Sequence, residues 1–226
     1  IIISNNRGLY LPKDKPIIFI SCRIHPGETP SSFVLNGVLK FLTDKKDPRT
    51  EILRKAFVFK IIPMVNVDGV SRGFYRFDTN GLNLNRHFEK PGEKIQPEIF
   101  AIKKLFKHFN QVGKIKFFYD LHAHASLKGL FVYGNFLDFL QQIENQMMPK
   151  LIEINSEYFD LNNCELSTKG LKLVEKGDKY SKEGTMRYQF FKINGEMLFY
   201  TVEASYFCGE YKNKLEKISP IDFNIM

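Results

Sequence analysis

The sequence predicts one α/β domain in which a mixed, largely parallel central sheet is flanked by helices on both faces. Three observations carry this. Short continuous apolar runs alternate with stretches of helical periodicity, the runs have the apolar character of strands buried on both sides, and polar clusters begin where they stop. At 226 residues, 43% of them hydrophobic, the chain has material for a single well-cored domain spanning 1–226.

Pro16 to Ile24 (PIIFISCRI) is an apolar run closed by His-Pro-Gly and reads as a buried strand. Thr29 or Ser31 can cap the next helix, where Phe33, Leu35, Val38, Leu39 and Leu42 recur at helical spacing until Asp47-Pro48 stops them. Phe57 to Ile62 is a second strand. Between Asn66 and Arg86, Asp68-Gly69, Gly73 and Asn80-Gly81 predict loop. Pro97 suits a first helical position ahead of an apolar stripe at Ile99, Ile102, Leu105, Phe106 and Phe109. Lys114 to Leu121 is a third strand running into His122, and Phe139 to Phe159 is helical. Asn162 to Lys182 is polar and Gly-punctuated, a loop. Met197 to Val202 is a last strand leading into Glu203.

Composition narrows the partners. The net charge is +8, but the lysines are scattered, with no Arg-rich arm, RNP-like aromatic motif or zinc-finger spacing, so nucleic acid is not expected. Solvated surface charge or a preference for acidic partners remains. No stretch approaches the ~18 apolar residues of a membrane span, so no membrane partner is expected. Cys22, Cys164 and Cys208 are odd in number and far apart, which argues against a disulfide framework and for a reducing compartment.

The clusters HPGE, DLH and VEAS each open at the end of an apolar strand, where α/β folds place ligand sites. His25 and Glu28 share a tight turn, and a histidine from a distant strand end would complete a His₂Glu metal set with one position open. His122 is the candidate and His124 its rival. Asp120 is either an acid supporting His122 or a cap on the local turn.

The segments SCRIHPGET, IIPMVNVDGV, GFYRFDTNGLNLNR, DLHAHASLKGLFVYGN, SKEGTMR and FYTVEASYFCG, in this order from Ser21 to Gly209, resemble the successive motifs of cytosolic carboxypeptidases. These are the branch of the M14 metallocarboxypeptidases that trims C-terminal and side-chain glutamates from tubulin. The resemblance implies one Zn²⁺ held by His25, Glu28 and His122, with Glu203 as general base. It implies that Asn85 and Arg86 clamp the substrate's terminal carboxylate, through the planar fork that suits arginine to this task. Arg76 would stabilise the developing oxyanion. Arg187 would sit in the pocket for the leaving side chain and select glutamate, with Lys182 and Lys192 as competitors. Tyr180 would be the closing tyrosine, with Tyr188 and Tyr200 as alternatives. The partners implied are acidic tails such as those of polyglutamylated tubulin, and the location cytoplasmic, with cytoskeleton, cilium or nucleus as finer possibilities.

The chain departs from the pattern at DLHAH, where the family more commonly has DLHGH. The resemblance also implies an N-terminal β-sandwich domain and a closing C-terminal helix that this chain lacks. Two other readings compete. An M14-like zinc deacylase shares an HxxE and a later histidine but is not expected to carry GFYR, NLNR and SKEGTMR together. A non-catalytic binding module would usually have lost a ligand or the base, and all four are present.

Overall fold

The computed structural model describes residues 1–5, 15–112, 115–206, 208–211 and 214–217; Lys114 and Phe207 from the segments above lie outside these. In chain order the elements are β1 (Ile2–Ile3), β2 (Ile17–Cys22), α1 (Thr29–Thr43), α2 (Pro48–Ala56), β3 (Val58–Ile62), α3 (Val67–Ser71), α4 (Pro97–Val112), β4 (Ile115–His124), β5 (Leu130–Tyr133), α5 (Phe139–Asn155), α6 (Met186–Ile193) and β6 (Leu198–Ser205). An antiparallel ribbon, β7 (Cys208–Tyr211) and β8 (Lys214–Lys217), follows. Single 3-10 turns occur at Leu84–Arg86, Leu161–Asn163 and Lys182–Gly184.

The sheet runs β1-β3-β2-β4-β6-β5. Its four inner strands are parallel, and β1 and β5 pair antiparallel at the two edges. Every residue of β2 is buried, because side chains leave a strand on alternate faces and both faces are covered. On one face Phe19, Phe118 and Phe199 pack with Ile99, Ile102, Phe106 and Phe109 of α4 and with Met186 and Phe190 of α6. On the other face Ile18, Ile20, Leu121, Tyr200 and Val202 meet Val34, Leu35 and Leu42 of α1, with Leu53 of α2 and Met148 and Ile152 of α5 packed against them. The predicted class is therefore the observed one.

Several elements differ from the sequence expectation. Asp47-Pro48 ends nothing of its own: it starts α2, with the Asp47 carboxylate accepting from Arg49 N–H and Pro48 at the first position, where no amide donor is needed. Helix α1 is capped at Glu28 rather than Thr29 or Ser31, and the Glu28 side chain makes no cap bond. Leu105 is 38% exposed and falls outside the buried stripe of α4. Strand β5 and helix α6 are too short to stand out by periodicity.

Helix α5 contains Pro149, which has no N–H to give the Asn145 carbonyl. Tyr200, fully buried on β6, fills that role: its hydroxyl donates to Asn145 O at 2.9 Å. The bond ties helix to sheet through a carbonyl that proline has freed. Tyr200→Phe should leave that carbonyl unsatisfied and lower unfolding stability by about 1–3 kcal/mol. In a Pro149→Ala background, where residue 149 regains its amide, chemical denaturation should show the Tyr200→Phe loss shrink; an unchanged loss would refute the assignment.

Candidate active site

Strands β2, β4 and β6 are neighbours and parallel, so their carboxyl ends open on one edge of the sheet. Beyond the end of β2, Arg23 adopts a left-handed φ of 58°, and its guanidinium donates to Pro26 O and to Ser32 Oγ. The chain thus doubles back, and His25 and Glu28 fall beside β4. His122 lies within β4, which runs two residues past it, and its register partner on β6 is Glu203.

His25, Glu28 and His122 are buried, and their ligand atoms all lie within 4.8 Å of one another. Glu28 Oε1 is 2.7 Å from His25 Nδ1, and Oε2 is 3.0 Å from His122 Nδ1. The outer ring nitrogens are fixed separately. His25 Nε2 meets Asn83 Oδ1 at 3.0 Å, and because Asn83 Nδ2 donates to Asp178, that oxygen faces the imidazole as an acceptor. His122 Nε2 donates to Asp120 Oδ2 at 2.8 Å, and Ser21 Oγ–H donates to Asp120 Oδ1 at 2.6 Å. Asp120 is thus the acid that supports His122. With each Nε2 engaged as a donor, both Nδ1 atoms are the ones turned to a shared point, the arrangement expected around a metal.

His124 shares a strand face with His122 and also lines the cavity. Its Nδ1, however, accepts from Leu127 N–H at 2.9 Å, so it serves the turn after β4.

The charges fit a cation at this point. Burial by itself would raise the Glu28 carboxyl, but the two imidazoles carry it well below the usual carboxylate range. Burial disfavours charge on His122, yet Asp120 and Glu28 on either side raise it well above its ordinary value. Burial lowers His25, with Glu28 opposing. Two nitrogens and a carboxylate, with supporting acceptors behind both rings, suit zinc and leave a position open.

A cavity of about 270 Å³ opens over this group, and Arg76, Asn85, Arg86, Arg187 and Glu203 join the three donors in lining it. Glu203 is 8% exposed, and its Oε2 is buried without a hydrogen-bond partner among the described residues. Burial, with Glu28 and Asp120 nearby, pushes its carboxyl up to about 8 against the opposing pull of His122 and Arg76. Asn85 and Arg86 are each 6% exposed. Asn85 Oδ1 accepts from Met186 N–H, and Arg86 Nε is 2.8 Å from Asp178 Oδ2. Gly184, in the SKEGTMR segment, abuts this pair so closely that a Cβ there would collide with the Arg86 carbonyl oxygen. Arg76 Nη1 lies 3.8 Å from Glu28 Oε1. Arg187 is half-buried, held by Gly134 O and, at 3.0 Å, by Asn135 Oδ1; among the described residues no carboxylate forms an ion pair with it.

Tyr180 stands apart. It is 53% exposed and packs edge-on against His87 in a neighbouring depression. Tyr75, Tyr133 and Tyr206 line the cavity instead. Sequence reasoning also missed Asn83, Asp178 and Glu175. Asn83 is inside the LNLNR segment and could have been found there; the two acids sit in a polar loop with no periodicity to mark them.

The family model described as zinc carboxypeptidase matches residues 1–215. Cytosolic carboxypeptidase-like protein 5 of Homo sapiens is 33% identical over 287 aligned residues, covering 89% of this chain and 32% of that protein. Cytosolic carboxypeptidase 6 of Mus musculus is 37% identical over 173 residues, covering 75% of this chain and 32% of its own. The chain thus spans about a third of the length of these relatives. Among solved structures, a metallo-carboxypeptidase from Burkholderia cenocepacia superposes with a TM-score of 0.77 at 21% identity, over 99% of this chain and 56% of that one. That likeness concerns the fold, and the sequence match through nearly the whole length concerns descent: the chain belongs to the zinc carboxypeptidase family.

Proposed function

We propose that this chain is the catalytic part of a zinc-dependent metallocarboxypeptidase that removes glutamate from acidic peptide or protein tails, polyglutamylated tubulin among them, in the cytoplasm. The observation that carries the reading is the Glu203 carboxylate, buried with a partnerless oxygen in the same cavity as the His25–Glu28–His122 donor set. A buried carboxylate with an unsatisfied oxygen is costly, and such groups are kept where chemistry uses them.

His25, Glu28 and His122 hold the metal. When bound, zinc supplies Lewis acidity, which acidifies water and polarises a carbonyl. Glu203 takes the proton from the attacking water and returns it to the leaving amine; a pKa lifted by burial suits both transfers, and a dication nearby pulls it back towards neutrality. Asn85 and Arg86 bind the terminal carboxylate, which makes the reaction exopeptidic. Arg76 steadies the negative charge that develops on the carbonyl oxygen. Arg187, fixed by Gly134 and Asn135 but without a carboxylate partner among the described residues, receives the leaving residue's acidic side chain. The cytosolic location follows the relatives' names.

Three outcomes are expected. Glu203→Gln should lower kcat on a glutamate-ended peptide by about 10²–10⁴-fold while zinc content by atomic absorption stays stoichiometric; turnover at the unmutated rate would remove Glu203 as the base. Arg187→Ala should cut kcat/KM for glutamate-ended peptides by about ten-fold or more relative to leucine-ended ones; equal losses across glutamate, leucine and lysine termini would end its selective role. Zinc at about 100 times its Kd should add roughly 2.7 kcal/mol of stability, read as a rise in Tm that a chelator reverses. His122→Ala should abolish that rise.

A further inference from the structure

The loop between Leu161–Asn163 and Lys182–Gly184 brings two carboxylates to the arginines of the cavity, and they are held in different ways. Asp178 has a side chain 2% exposed, clamped by Arg86 Nε at 2.8 Å and by Asn83 Nδ2 at 2.9 Å. It is part of the wall. The Glu175 side chain is 39% exposed and, among the described residues, pairs only with cations. Its Oε2 is 2.9 Å from Arg76 Nη2 and 2.8 Å from Arg86 Nη2, and its Oε1 is 2.8 Å from Lys182 Nζ. Burial would raise its carboxyl, but Lys182, Arg86 and Arg76 hold it below the usual value, so it is an anion at neutral pH.

These are the groups assigned above to the substrate: Arg86 to its terminal carboxylate and Arg76 to its carbonyl oxygen. Two carboxylates cannot occupy the same forks together. The stretch carrying Glu175 has few other ties. Leu171 before it and Asp178 after it are buried anchors, while Leu173 and Val174 between them are 62% and 55% exposed. Glycines in the left-handed region, Gly170 at φ 76° and Gly177 at φ 93°, bracket it. Lys182 N–H ties back to Leu173 O at 3.2 Å, and the Glu175 carboxylate is what joins the middle of this stretch to the cations of the cavity.

We propose that Glu175 is an internal stand-in for the substrate's terminal carboxylate, occupying the Arg76–Arg86–Lys182 subsite between turnovers and giving it up to the incoming chain end. The proposal rests on the reading of Arg86 as the carboxylate clamp. Asp178 holds Arg86 Nε throughout, and exchanging one carboxylate for another keeps its Nη2 matched as well, where an empty subsite would leave that edge of the buried guanidinium without an acceptor. The exchange weakens apparent affinity for every substrate by the strength of the surrendered pairs, while the exclusion of uncharged chain ends stays with the arginine clamp itself.

The test compares the whole chain with its Glu175→Gln variant, which keeps the shape and removes the charge on a half-exposed loop where folding is not at stake. Substrates are a glutamate-ended peptide as the free acid and its C-terminal amide, with succinate as a competing dicarboxylate. In the variant, KM for the free acid and Ki for succinate should each fall by about three- to ten-fold, with kcat moving less than KM. The amide should stay uncleaved by both proteins. If the parent protein strongly prefers the acid over the amide and the variant's KM is unchanged or higher, Glu175 is not a stand-in. If the parent cleaves acid and amide equally, the carboxylate clamp itself is wrong and the present proposal goes with it.

Discussion

One buried carboxylate, that of Glu28, sets the terms for the site. Removing a carboxylate from water costs several kcal/mol unless its lone pairs are met: the Ala123 amide donates to Oε2, and the Nδ1 atoms of His25 and His122 converge with the two oxygens on the point where a cation would meet the rest. Those partners belong to the turn after β2 and to β4. The two strands must therefore lie side by side with Cys22 opposite Leu121, as they do. The same demand explains the start of α1. Glu28 is its N-cap, but its side chain is spent on the imidazoles, so the helix begins without the usual side-chain bond and relies on Pro30 near its start and on Ser31 Oγ donating back to the Glu28 carbonyl.

Around that centre the cavity is a balance of opposite charges. Glu28 and Asp120 supply negative charge beside the two imidazoles, with the Glu203 carboxyl pushed up to about 8 next to them; Arg76, Arg86, Lys182 and Arg187 supply positive charge. Most of the cations are already matched, Arg86 by Asp178 and Glu175, and Arg76 and Lys182 by Glu175. Arg187 alone among these four has no carboxylate pair among the described residues, only neutral acceptors. On the proposed reading, an acidic group entering the cavity would find there the cation that no described carboxylate compensates, a more local ground for acidic ligands than the net charge of +8.

Much of this is legible in the sequence. Strands buried on both faces announce themselves as unbroken apolar runs, and β2, β3, β4 and β6 were all found that way, with His25, Glu28, His122 and Glu203 near their ends. What could not be read follows from the same logic. Helix α2 was hidden because Asp47-Pro48 is chemically both a stop and a start, and only tertiary packing decides. Strand β5 and helix α6 are short segments whose identity comes from the sheet edge and core they cover. Glu175 and Asp178 come from a loop with no period at all, and their partners Arg76 and Arg86 are roughly 90 to 100 residues away in sequence. Long-range charge pairing leaves no local signature. Tyr180 sits close in sequence to Arg187, but the turn at Lys182–Gly184 carries it to a different surface.

Gly184 offers a last point. Its Cα rests on the main chain of Arg86, and its carbonyl accepts from Phe88 N–H at 3.0 Å, so the segments bearing Arg86 and Arg187 are fastened back to back with no side chain between them. The two guanidinium groups consequently share one chassis. On the proposed roles of Arg86 and Arg187, a shift of either segment is therefore handed on to the other rather than absorbed between them.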